Sequence, residues 1–147
     1  MHVFGMLHTE SKTNSKHETL KSKQIRMSEI QISKQYDLEE RTYKFAKNVR
    51  EFIKKLPKNT TNYEDCSQLT RSSGSIGANY IEANESLSKK DFVMRIKISR
   101  KESKETIFWL KLIDVDEKKD LETERQILVD EATQLMKILG SIVRKSE

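Results

Sequence analysis

Gln68 to Ala83 reads Gln-Leu-Thr-Arg-Ser-Ser-Gly-Ser-Ile-Gly-Ala-Asn-Tyr-Ile-Glu-Ala. Leu69, Ile76, Tyr80 and Ala83 recur at helical spacing. Ser, Gly and Ala nonetheless occupy more than one face of that helix. A glycine inside a solvated helix costs roughly 1 kcal/mol relative to alanine. Gly74 and Gly77 are therefore tolerable only where another element packs closely against the bare backbone. The stretch predicts a helix with tight neighbours on two sides, and so a chain built from packed helices.

That helix extends from about Asn62 to Leu87. Its inner stripe is Cys66, Leu69, Ser73, Ile76, Gly77, Tyr80, Ala83 and Leu87. The opposite face, Arg71, Gly74, Ala78, Ile81 and Glu85, is small and partly apolar for a solvated surface. Upstream, Leu38, Thr42, Phe45, Val49, Phe52, Ile53 and Leu56 fall on one face of a first helix. Asp37 and Glu40 form a capping-box pattern at its start, and Pro57 closes it. Downstream, Ser88 and Asp91 open a third helix with the inner stripe Phe92, Ile96, Ser99, Ser103, Thr106, Leu110 and Ile113. A short acidic turn, 114–120, leads to a fourth helix burying Leu121, Leu128, Ala132, Leu135, Leu139, Ile142 and Val143. Four long helices with short connections predict an all-α, antiparallel up-down-up-down four-helix bundle over 36–147.

Residues 1–35 are rich in Lys, Ser, Thr, Gln and His and poor in large apolar side chains. Such a segment buries too little surface to offset its ordering entropy, so a mobile polar leader is expected there. Met27 opens a more ordinary Met-Ser-Glu-Ile and is a second candidate start. The single proline and four glycines argue against a turn-rich β fold. No apolar run is long enough to span a membrane. Val3 to Leu7 is too short for a signal-peptide core. One cysteine, Cys66, excludes an internal disulfide framework and fits a cytoplasmic protein. A formal charge of +5 permits an anionic partner without requiring one.

Catalytic signatures are missing. The three histidines, His2, His8 and His17, fall in the leader at spacings unsuited to a metal. No histidine of the bundle stands ready to activate Cys66. Glu82, Glu85, Glu102 and Glu105 have no histidine beside them and read as structural ion pairs. No enzyme, metal or cofactor is expected. Asn79 and Tyr80 read as structural, with the Tyr80 hydroxyl needing a buried partner.

The third helix carries the candidate site. Lys90, Lys97, Lys104 and Lys111 recur every seven residues, with Lys101 on the same face and Arg100 flanking it. From Lys89 to Lys104 there are seven basic and two acidic residues. The stripe reads either as a phosphate-contacting surface or as a solvated helix face. Arg71 is an outlying candidate for the same role. Val93, Met94 and Phe108 interrupt the lysines, and Ile98 and Trp109 lie on the flank. Such residues stack on a base or, more commonly, mark a protein contact. Together with Gly74, Ala78 and Ile81 they predict self-association. Residues 114–131 hold eight acidic and three basic residues, a complement to the lysine face in head-to-tail subunit contacts.

Residues 37–144 resemble the four-helix-bundle proteins encoded within intervening sequences of bacterial 23S ribosomal RNA genes, a ribosomal-protein-like family. The likeness rests on residues 68–83 and on Ser-Lys-Lys-Asp-Phe at 88–92, leading into a long helix. The family's second helix typically reads Gln-Leu-Arg-Arg-Ala-Ser and then Ser-Ile-Pro-Ala-Asn-Ile-Ala-Glu-Gly. Gly77 stands here where Pro is common, and Asn84 follows Ala83 where a Gly-rich stretch often lies. The resemblance implies a four-helix bundle assembled as a cyclic homopentamer. A related branch, the accessory protein of diversity-generating retroelements, resembles a basic barrel binding nucleic acid and a reverse transcriptase.

The functional expectation is a non-enzymatic oligomeric scaffold whose third helix binds RNA or DNA. The alternative is a protein–protein adaptor or purely structural oligomer, its lysines covered by Asp116, Glu117, Glu122 and Glu124 of a neighbour. The expected partners are further copies of the chain, nucleic acid or another protein, and no membrane.

Overall fold

The computed structural model describes the backbone of residues 4–147 and the side chains of residues 19–147. Its helices are α1 (Phe4–Lys54), α2 (Thr60–Asn84), α3 (Lys89–Leu112) and α4 (Lys119–Ser146), with no strand among the described residues. None of the described helices is long and apolar enough to cross a membrane. The chain divides into two units, Met1–Asp37 and Leu38–Glu147.

In the first unit, residues 19–37 expose their side chains, apart from a half-buried Gln35. Leu20, Ile25, Met27, Ile30 and Ile32 are all more than half exposed. Reading the α1 core stripe backwards from Leu38 shows why: it continues as Gln35, Gln31, Ser28 and Gln24, which offer no apolar seam. The helix does not start at Asp37, where the capping-box pattern placed it. No glycine or proline interrupts the chain between Met6 and Leu56, and Lys, Glu, Gln, Leu and Met sustain a helix well. Asp37 is therefore an interior position, and Glu40 pairs with Lys44 across one turn at 3.1 Å. His2 lies outside the described residues, as do the side chains of His8 and His17.

The second unit is held by the four apolar stripes. Phe45, Val49, Phe52, Leu69, Ile76, Ile96, Leu110, Leu135 and Leu139 are at most 2% exposed. Thr42 faces Gly77, Arg50 donates to the Thr70 carbonyl at 3.4 Å, and Asn84 donates to Glu39 at 2.9 Å. In these three contacts higher numbers on α1 meet lower numbers on α2. Ser99 and Thr106 meet Ile76 and Ser72 in the same opposed order on α2 and α3. Arg41 to Glu131, 2.7 Å, and Lys55 to Glu124, 3.0 Å, tie the α1 side to α4.

The turns explain where the helices stop. Asn59 caps α2 by accepting from the Asn62 amide, and Ser88 caps α3 by accepting from the Asp91 amide at 3.1 Å. Asp116 and Glu117 both take positive φ, 54° and 55°, in the turn before α4. Asp114 steadies that turn by accepting the Asp116 amide at 2.8 Å. Asn62 is buried at the junction of both loops. It donates to the Pro57 and Asp114 carbonyls at 3.0 and 2.9 Å and accepts from the Asp114 amide at 3.0 Å. Leu87 leaves the expected inner stripe altogether, at 101% exposure, because α2 ends at Asn84 and Leu87 lies in the turn. Phe92, Ile142, Ile53 and Cys66 are only half buried, whereas Ser72, Val129 and Gly140 join the interior.

Candidate nucleic-acid interface

Hydroxyl side chains line the seam between α2 and α3. Ser99 donates to the Ile76 carbonyl at 2.6 Å, and Thr106 donates to the Ser72 oxygen at 3.0 Å, all four residues being buried. Small hydroxyls let two backbones approach while satisfying each other, and each such bond contributes about 1 kcal/mol net. The seam also sets the rotation of α3 about its axis. With Ile96, Ser99, Ser103, Thr106 and Leu110 inside, the opposite stripe must face water. That stripe is Lys90, Met94, Lys97, Lys101, Lys104, Phe108 and Lys111, in strict alternation of four and three, and all seven positions are exposed.

The charges on this stripe are mostly uncommitted. Among the described residues, Lys90, Lys101, Lys104 and Lys111 have no carboxylate partner. Lys97 pairs with Glu147 at 2.7 Å, and its hydrogen bond holds the Glu147 carboxyl below the usual range. Arg100 lies along α4: a side chain at Gly140 would come within 3.8 Å of the Arg100 Nε and 3.4 Å of an Arg144 Nη1. Two guanidiniums thus converge over one buried glycine and carry the positive surface onto α4. Arg71 does not join it. Glu105 and Glu102 hold its guanidinium at 2.5 and 3.5 Å, so its charge is matched locally. The Glu102 and Glu105 carboxylates thus take the ion-pair role expected of them. The second oxygen of Glu102 is buried without a hydrogen-bond partner.

The expected subunit-contact residues divide. Gly74 is covered by the Arg50 guanidinium, 3.2 Å from where a Cβ would stand. Trp109 is half buried, donates to Glu105 at 3.2 Å and meets the Phe108 ring edge-on, centroids 4.9 Å apart. Val93 is half buried beside Met94 and Ile98 in a shallow groove of 870 Å³ rimmed by lysines. Ala78 and Ile81 on α2, and Met94 and Phe108 on α3, remain exposed. Asn79 bridges helices: it donates to the Ser75 carbonyl at 2.9 Å and accepts from Arg95 at 3.4 Å. Burial raises the Tyr80 hydroxyl above its ordinary pKa, against a hydrogen bond with Asn84. Burial also pushes the Cys66 thiol up, with Asp65 adding to it. Among the described residues no group of His, Cys, Asp and Glu is placed to hold a metal ion.

Residues 34–141 match the family model of the 23S rRNA-intervening sequence protein. The chain belongs to that family. A solved structure, a protein of unknown function from the S23 ribosomal protein family of Bacteroides thetaiotaomicron, is 29% identical to it. The likeness has a TM-score of 0.63 and covers 72% of this chain and 97% of the other. No curated protein matches. In this intervening-sequence protein the α3 stripe read from the sequence is exposed, and Arg144 and Gly140, which that reading did not single out, lie beside Arg100. The signal was present: Gly140 sits inside a helix, where a glycine asks for a close neighbour, and Arg144 follows it by one turn.

Proposed function

We propose that this intervening-sequence protein is a non-enzymatic helical scaffold that binds RNA or DNA through the exposed face of α3. Its carrying observation is the stripe from Lys90 to Lys111, where four of five lysines lack a carboxylate partner among the described residues. Phosphate contacts of this kind are sequence-neutral and salt-sensitive. The reading includes an up-down-up-down bundle, supported by the opposed order of residue contacts between successive helices. It also includes assembly into a homo-oligomer, a cyclic pentamer by family resemblance, with the open Ala78 and Ile81 of α2 as the contact. Copies of a weak cationic stripe on one ring would gain affinity through avidity.

A second reading, a protein adaptor or purely structural oligomer, draws on one observation: a carboxylate, Glu147, already occupies Lys97. The carboxylates expected to cover the stripe from a neighbour favour it less. Glu124 is engaged by Lys55 and Glu122 by Arg125, leaving Asp116 and Glu117. Filter binding over a salt series separates the readings. Each phosphate contact contributes about 0.7–0.9 to the slope of log affinity against log salt. Replacing Lys101 and Lys104 by alanine should lower that slope by about 1.4–1.8. No binding at low salt, or a slope indifferent to these lysines, removes the nucleic-acid reading.

A further inference from the structure

From Met94 to Phe108 the exposed line of α3 reads Met, Lys, Lys, Lys, Phe, with Lys97, Lys101 and Lys104 between the two apolar ends. We propose that this arrangement selects single-stranded over duplex nucleic acid, with bases lying on Phe108 and Met94 and phosphates on the lysines between them. The inference rests on the nucleic-acid reading above and adds the class of strand. Neutralising a duplex backbone does not require an open aromatic ring on the lysine line, whereas a base or a subunit contact would use one. Phe108 is 57% exposed, and its ring meets Trp109 edge-on with centroids 4.9 Å apart. Met94 is 47% exposed and opens on the groove it shares with Val93 and Ile98.

A duplex keeps its base faces stacked inside and offers a helix lying along it only phosphates and sugars. A single strand leaves those faces free, and stacking on an aromatic side chain is tolerant of sequence because every base has a π-face. Fourteen residues of helix separate the two apolar positions, about 21 Å at 1.5 Å per residue. That length accommodates a short run of nucleotides above three lysines. Loss of one stacked base corresponds to roughly a tenfold weakening, about 1.4 kcal/mol.

The test is fluorescence anisotropy on the full chain with labelled 20-mers, as single-stranded DNA, single-stranded RNA and the matching DNA duplex. The expected result has three parts. Single strands bind more tightly than duplex; Phe108→Ala weakens single-strand binding about tenfold and leaves duplex binding unchanged; Phe108→Tyr restores it. The only tryptophan, Trp109, should also lose fluorescence when a single strand binds. Equal binding of strand and duplex, both indifferent to Phe108→Ala, overturns the inference and leaves the lysine reading standing. Absence of binding by all three probes at low salt overturns both. A fall in sedimentation mass on Phe108→Ala, with single-strand and duplex affinity dropping together, assigns Phe108 to a subunit contact and overturns the inference.

Discussion

Gly77 and Gly74 lie one turn apart on α2, and alanine at the two positions should move stability in opposite directions. A Cβ at Gly77 would stand 2.8 Å from the Thr42 Oγ1 and 3.1 Å from the Thr42 Cβ. Thr42 has nowhere to go. It is 1% exposed, its hydroxyl donates to the Leu38 and Glu39 carbonyls at 2.9 Å each, and its β-branch limits χ1 within a helix. Relief requires α1 and α2 to separate, and overpacking of this kind costs about 1–3 kcal/mol. The better helix propensity of alanine returns about 1 kcal/mol, for a net loss near 1 kcal/mol. At Gly74 the atom in the way is the tip of Arg50, at 3.2 Å, on an exposed and flexible side chain that can swing aside. Gly74→Ala should therefore keep most of the propensity gain, placing the two variants about 2 kcal/mol apart. Urea unfolding followed by circular dichroism reads this as a shift in midpoint at constant slope. A Thr42→Ala background, which removes the nearest atom, should shrink the Gly77→Ala penalty. If Gly77→Ala proves as stable as Gly74→Ala, the close contact of α1 with α2 is not what retains glycine there.

Asn62→Leu should cost about 2–4 kcal/mol in the same unfolding assay, because three backbone groups of Pro57 and Asp114 lose a buried partner; a change under about 0.5 kcal/mol would show that the two loops do not depend on it. Cys66 should react with iodoacetamide at pH 7 more slowly in the folded protein than in urea, since burial raises its pKa and lowers the thiolate fraction; equal rates would contradict that shielding. The Glu147 carboxyl is held low by Lys97, so the pair is present above the ordinary carboxylate pKa and is lost as pH falls through the lowered value. Glu147→Gln should accordingly free Lys97 and tighten oligonucleotide binding at neutral pH. No change in the anisotropy titration would place Lys97 outside the contact.

Periodicity alone determined most of the bundle. The stripes through Phe45, Leu69, Ile96 and Leu135 emerge at 3–4 residue spacing, and burial follows because each helix has one apolar face to hide. The α3 lysine line was equally legible, since a helix that buries Ile96 and Leu110 must turn Lys97, Lys104 and Lys111 outward. Contacts between segments distant in sequence stayed out of reach of that reasoning. Arg71 reads as an available cation until α3 brings Glu102 and Glu105 beside it. Gly74 reads as a subunit contact until Arg50 of α1 covers it. Asn62 gives no sign from its neighbours that it will join the loops at Pro57 and Asp114, and Arg144 joins Arg100 only because α4 presents Gly140 to α3. Local spacing specifies which side of each helix seeks the core, because that depends on residues one turn apart. Which charges remain free depends on where four rigid helices finally lie, and only their packing decides that.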